Sequence, residues 1–268
     1  MTSTELAWRI RHHAVEMVHH AHASHIGGIL SVADIVAVLY TDILHMSPEA
    51  PKDPDRDRVI LSKGHNGVAL YAALAETGFF PISELEKYGD NGCQFSCHVS
   101  HKNVPGVELS TGSLGHGVCV ACGMALHAKR RKKPYRVYAI VGDGECNEGS
   151  VWETAMLASQ EKLSQLTVVV DCNGMQAMGN CEDILNMQPM EDKWRAFGWH
   201  VESVDGHDYG VLRSAFLSGS GDKPKVILAH TIKGKGISFM ENALLWHYRD
   251  PQGEDYARAM AELEEQRP

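Results

Sequence analysis

The chain has 268 residues, enough to bury a substantial core, and α/β chains of this length commonly form one unit, so residues 1–268 are read as a single domain. Its 25 basic and 34 acidic residues leave a net charge of −9, which would repel a nucleic-acid backbone unless basic residues were segregated. Seven cysteines with no signal-type segment ahead of them point to reduced thiols and the cytoplasm, and no apolar run approaches the roughly 20 residues that span a bilayer, which argues against membrane insertion.

A first helix is announced by Ser3 or Thr4 as its cap and by apolar Leu6, Ile10, Ala14, Met17 and Ala21 at helical spacing. His12, His13, His19, His20 and His22 cover several faces of it and read as solvent or interface residues. The pattern predicts a second helix from Ser31 to about Leu44, a surface loop from Ser47 to Arg58 and a third helix from near Gly64. Between Ser83 and Ser110 the periodicity is lost to small, polar, His and Cys residues, the mark of a long functional loop. Cys93, Cys97, His98 and His101 invite a zinc reading, but structural zinc usually serves small domains short of core. Helical periodicity resumes from Gly115 to Lys132 and ends in the run Lys129 to Lys133, where positive charge complements a helix C-terminus. Cys119 and Cys122 lie inside this helix as core packing. Apolar runs Val137–Val141, Leu166–Val170, Val201–Val204 and Val226–Ala229 then alternate with helices, one around Tyr209–Leu217, and a last helix is expected from Asp255 to Gln266. Alternation of this kind implies an α/β fold with a doubly wound, mostly parallel sheet flanked by helices.

The chemistry concentrates where two of these strands end. Val137–Val141 runs into Gly142, Asp143 and Gly144, the carboxyl edge where open α/β sheets bind ligands. The glycines let the backbone approach a bulky anion, Asp143 supplies a hard oxygen, and the helix that follows offers its N-terminus to negative charge. The run Leu166–Val170 ends in Asp171, Cys172, Asn173, Gly174 and Met175, so the Asn173 amide oxygen and the Met175 carbonyl complete an oxygen set suited to magnesium or another divalent cation. Glu148 can serve as a helix-start carboxylate.

Gly-Asp-Gly followed at this spacing by Asn resembles the thiamine-diphosphate fingerprint, and four further stretches are similar to the transketolase family in particular. These are Ser24-His25-Ile26-Gly27-Gly28; Leu61-Ser62-Lys63-Gly64-His65; Pro105-Gly106-Val107-Glu108 with Thr111-Gly112-Ser113-Leu114-Gly115; and Lys233-Gly234-Lys235-Gly236 with Phe239-Met240-Glu241-Asn242 and Trp246-His247. Together they span nearly the whole chain. The resemblance implies a thiamine-diphosphate-binding fold of the diphosphate-binding type. It implies that His65, Gly112, Ser113, Leu114, Gly142, Asp143, Gly144, Glu148, Asn173 and His247 hold the cofactor, with magnesium on Asp143, Asn173 and Met175. It further implies that His25, His65, His98 and His247 face substrate or developing charge, as donors near neutrality. His98 fits the family's loop histidine better than its competitor His101, and Glu148 would lie at a subunit interface. Ser24, Tyr248 and Met178 depart from the usual pattern, where glycine, glycine and aspartate are common, and bear on substrate rather than cofactor.

In this family the cofactor is activated by a glutamate of a separate pyrimidine-binding domain, and sugar phosphate is gripped by arginines further along. Beyond Trp246-His247 only a short charged tail follows. The resemblance therefore implies a partner, a C-terminal transketolase subunit supplying that glutamate and the sugar-phosphate site, in an α2β2 assembly that transfers a two-carbon ketol unit from a ketose (phosphate) to an aldose (phosphate). The alternatives are a component of a 2-oxoacid dehydrogenase or deoxyxylulose-phosphate-type synthase, against which the histidine set argues, and a non-catalytic binding protein, for which loss of Asp143, Asn173 or the histidines would be the sign.

Overall fold

The computed structural model describes residues 1–268. Its centre is a five-stranded, wholly parallel sheet in the order β1-β2-β3-β5-β4, with β1 at Arg58–Leu61, β2 at Val137–Gly142, β3 at Leu166–Cys172, β4 at His200–Asp205 and β5 at Lys225–His230. β2 and β3 are apolar at almost every position because both of their faces are covered: Tyr138, Ile140 and Val169 enter one core, while Val137, Ala139, Val141, Val168 and Val170 enter the other. The first core is built mainly with α1 (Ser3–Ala21), α2 (Ile26–Val38), α3 (Gly67–Glu76), α8 (Tyr209–Leu217) and α9 (Glu254–Glu265). The second takes α4 (His116–Arg131), α5 (Gly149–Gln160) and α7 (Met190–Ala196), with the short α6 (Cys181–Leu185) outside it.

Several boundaries differ from the sequence reading, each for a local reason. The cap of α1 is Thr2, whose hydroxyl accepts the Glu5 N–H, while Ser3 is buried and donates to Asp42 instead. α2 begins at Ile26 rather than Ser31, because Gly27 and Gly28 sit inside its first turn as points of close approach: a Cβ on Gly28 would meet the Asn66 side chain at 2.8 Å. The helix continues into a π-helical turn, Leu39–Ile43, and the stretch Ile26–Ile43 is, against the expectation from sequence, apolar and long enough by composition to resemble a membrane span. Its window is 83% buried within the fold, so its apolarity is that of a core helix. β1 has little local signal, being four residues directly after a charged loop, and α6 and α7 fall in a stretch without sustained periodicity.

Candidate active site

The tips of β2 and β3 lie side by side, with Gly142 in register with Asp171, so the residues that follow each strand open onto one cavity of about 280 Å³. Asp143 turns its carboxylate back on the loop: Oδ1 accepts the Gly144 N–H at 2.8 Å, and Oδ2 accepts the Gly174 N–H from the neighbouring strand end at 2.6 Å. The positive φ of Gly174, 76°, allows that amide to reach across. Asn173 presents Oδ1 to the Met175 N–H at 3.2 Å, while its Nδ2 donates to Ser31 Oγ and Asp171 Oδ2, each at 3.3 Å. These bonds fix the amide's orientation. The Met175 carbonyl faces the same cavity and accepts from Lys233 Nζ at 3.3 Å.

A carboxylate, an amide oxygen and a backbone carbonyl form a hard donor set that fits magnesium. The electrostatics agree with that fit, since burial and then the nearby Asp171 charge raise the pKa of Asp143, a cost that a cation would relieve. Asp171 itself sits fully buried behind the site, bonded to Ser31 (2.6 Å), Lys63 and Thr231. Despite its burial, the Lys63 charge and these bonds hold its carboxyl below the usual range. The cavity therefore has two ammonium groups in its wall, Lys63 and Lys233, which suits a diphosphate. Burial, then repulsion from Lys63, lowers Lys233 to about 8.

Four histidines line the same cavity, and His247 Nδ1 lies 3.0 Å from Lys233 Nζ. The rings of His65 and His247 lie 5.1 and 5.0 Å from that of His25, and the His98 ring lies 5.9 Å from it. They arrive from four separate segments, drawn together by backbone bonds: His25 N–H donates to the His247 carbonyl at 2.7 Å, and Gly234 N–H to the Gly27 carbonyl at 2.8 Å. His101 is turned away, its Nδ1 against Ser110 Oγ at 2.7 Å, so His98 alone of the two loop histidines lines the cavity, and the pair does not join Cys93 and Cys97 in a zinc-like cluster. Three of these imidazoles are held well below the ordinary histidine range by their surroundings. Burial, reinforced by His98 and Lys233, lowers His25 to about 4; burial and then Lys63 lowers His65 to about 2; and burial and then Lys233 lowers His247 to about 4. These three rings are neutral at pH 7 and donate through one N–H each, and His25 Nδ1 is a buried polar atom without a hydrogen-bond partner.

Gly112 and Leu114 line the cavity with Gly142 and Gly144, but Ser113 is exposed outside its wall, and so is Glu148, which stands at the N-cap position of α5 with no side-chain capping bond. The nearby carboxylate that sequence reasoning misses is Glu145. It is 2% exposed and accepts from Gly115 N–H (2.8 Å), Gly142 N–H (3.2 Å) and Ser62 Oγ, locking three segments of the wall together. Gly115 enables this with φ 78°, where a Cβ would also meet that of Glu148 at 2.8 Å. Lys63 and Lys233 belong to the sequence motifs but carry no signal of their own, since lysine is ordinarily a solvated residue.

A parallel sheet with this cavity at its carboxyl edge defines a thiamine-diphosphate-binding domain of the diphosphate-binding kind, and residues 2–261 match the family model "Transketolase, thiamine diphosphate binding domain". The chain belongs to the transketolase family. It is 42% identical over 259 residues to a 6-deoxy-6-sulfo-D-fructose transketolase subunit of Clostridium sp. (strain MSTE9), covering 96% of this chain and 94% of that one. It is 40% identical to an apulose-4-phosphate transketolase subunit of Phocaeicola vulgatus, covering 95% and 91%. The transketolase of Campylobacter jejuni superposes with a TM-score of 0.90 at 28% identity over 98% of this chain, which spans 42% of that longer chain; the transketolase of Leishmania mexicana gives 0.90, 28%, 98% and 41%.

Proposed function

We propose that the chain is the cofactor-binding subunit of a two-subunit transketolase, moving a two-carbon ketol unit from a ketose donor to an aldose acceptor. The carrying observation is the pair of adjacent strand tips that brings Asp143 and Asn173 into one cavity with His25, His65, His98 and His247. Thiamine diphosphate would supply the carbanion chemistry of ketol transfer. Asp143, Asn173 and the Met175 carbonyl would hold magnesium; Gly142, Gly144 and the Gly112–Leu114 segment would let the backbone approach the diphosphate, with Lys63 and Lys233 balancing its charge. His65 and His247, beside the lysines, would donate to the diphosphate and to developing charge on the sugar oxygen, while His25 and His98 hold sugar hydroxyls. Neutral imidazoles suit this task, because they donate without bringing a fixed charge that must be relieved when the product leaves. Glu148, exposed at the start of α5, would face another protomer.

The need for a partner is supported by the relatives that match this chain nearly end to end and are themselves called subunits. A C-terminal transketolase subunit would bring the activating glutamate and the sugar-phosphate site, in an α2β2 assembly. The names of those relatives support an anionic ketose, phosphorylated or sulfonated, as substrate class. Seven unpaired thiols support a cytoplasmic enzyme. Assaying the chain alone and with its partner for ketol transfer, with thiamine diphosphate and Mg2+ against a panel of anionic ketoses, tests the reading. Activity is expected only from the pair, and full activity from the isolated chain overturns the shared site.

A further inference from the structure

Away from the cofactor cavity, α1 carries a second cluster of metal-competent groups. His12 and His13 stand four and three residues before Glu16, so each is at a spacing that lets its side chain meet the Glu16 carboxylate from one side of it. Their ligand atoms lie within 4.8 Å of one another. The His12 Nδ1 to Glu16 Oε2 distance is 3.3 Å and the His13 Nδ1 to Glu16 Oε2 distance is 3.4 Å. A tetrahedral ion with bonds of about 2.0–2.1 Å separates its ligands by about 3.3–3.4 Å, so two edges of the required tetrahedron are already in place.

The distal ring nitrogens supply an independent observation. His13 Nε2 is 2.7 Å from Glu76 Oε1, a carboxylate of α3 whose side chain is only 4% exposed, and His12 Nε2 is 3.5 Å from Glu264 Oε1 of α9. A histidine that ligates a metal through one nitrogen almost always gives its other N–H to a carboxylate, carbonyl or water, which fixes the tautomer and makes the ring a better ligand. Both rings therefore have Nδ1 turned to the cluster and Nε2 turned to an outer acid. An open cleft bordered by His13, Glu16 and His20 leaves room for a fourth ligand.

We propose that His12 Nδ1, His13 Nδ1 and a Glu16 carboxylate oxygen form a site for a divalent transition metal of the zinc class, distinct from the magnesium site and closed by water or an exogenous ligand. Two imidazoles and one carboxylate favour such an ion over magnesium, which prefers an octahedral oxygen shell. Because the outer carboxylates come from α3 and α9, binding braces three helices and should raise the thermal midpoint of the chain.

The test is titration of the chelator-treated full chain with Zn2+ by calorimetry and with Co2+ by visible absorption, in wild type, Asp143→Asn, His12→Asn, Glu16→Gln and Glu76→Gln, with circular dichroism as a folding control. Expected are one zinc site and an intense tetrahedral cobalt band in wild type, both retained in Asp143→Asn. Both should be lost in His12→Asn and Glu16→Gln, and weakened by about 10- to 100-fold in Glu76→Gln. Zinc binding that disappears in Asp143→Asn, that survives unchanged in folded Glu16→Gln, or that gives only a weak octahedral cobalt spectrum overturns the proposal and leaves the cluster as a histidine–carboxylate bonding network.

Discussion

Asp143 carries a charge that its surroundings disfavour: its carboxylate is buried, it faces Asp171 across the two strand tips, and its pKa is raised in consequence. What the protein returns is two backbone amides, those of Gly144 and Gly174. Removing the side chain therefore has opposed effects on the metal-free chain. Asp143→Ala relieves the buried charge but leaves two amides without an acceptor, at about 1–3 kcal/mol each, whereas Asp143→Asn keeps one oxygen and should melt closer to wild type. Binding separates the variants from wild type much more sharply. Both should lose Mg2+-dependent retention of thiamine diphosphate by at least about tenfold, the worth of a contact to a charged group. Calorimetric titration of the cofactor with and without Mg2+ reads this directly, and an unchanged magnesium dependence would remove Asp143 from the ligand set.

At the level of elements, the histidine wall depends on how α2 is anchored. Asp34, in the middle of α2 and 2% exposed, accepts from Arg11 of α1 at 3.0 Å, from Tyr209 Oη at 2.8 Å, and from His207 Nδ1 at 2.6 Å. His207 Nε2 in turn accepts the Ile232 N–H at 2.9 Å, next to Lys233. One carboxylate thus ties two helices to the β4–α8 connection and to the segment that carries Lys233. Asp34→Ala strands the buried Arg11 guanidinium and should cost on the order of 3–5 kcal/mol in urea denaturation, whereas the double change Arg11→Met with Asp34→Ala should recover part of that loss. A double variant no more stable than the single one would show that the pair is not coupled.

None of this network is legible in the sequence, because Arg11, Asp34, His207 and Tyr209 lie in three separate stretches and carry no shared spacing. Four strands and the helices around Tyr209–Leu217 and Glu254–Glu265 are legible, since their hydrophobic pattern is local. The start of α2 is not: a Gly-Gly pair reads as a break in a chain but serves here as a contact surface for Asn66. The same distinction governs the site. Asp143 and Asn173 follow strand ends and announce themselves, while Glu145, Lys63 and Asp171 act through burial, which a single sequence does not display.

For the molecule as a whole, the buried histidines make stability depend on pH in a definite direction. Their ordinary pKa is 6.5, and in the folded chain His25, His247 and His65 fall to about 4, 4 and 2. As pH drops below about 6.5 the unfolded chain takes up protons that the folded chain refuses, so the stabilisation present at neutral pH is lost progressively down to those lowered values. Each fully effective group contributes a slope on the order of 1 kcal/mol per pH unit in this interval. His13, whose pKa is raised, works the other way and offsets part of the slope, while Glu16 and Asp34, both lowered, lose their contributions only at more acid pH. The metal-free chain should therefore become markedly less stable between about pH 6.5 and about pH 4.5, before its paired carboxylates titrate. Urea midpoints across that range test the sign, and His65→Asn, which removes the most strongly depressed group, should flatten the profile by on the order of 1 kcal/mol per pH unit. A wild-type profile that is flat or rises toward acid, or a His65→Asn profile that parallels it, would mean that the wall is hydrated and its imidazoles charge freely. The chemistry of the cavity turns on that point, because neutral imidazoles beside Lys63 and Lys233 leave the lysines as its positive side chains and act themselves by hydrogen bonding alone.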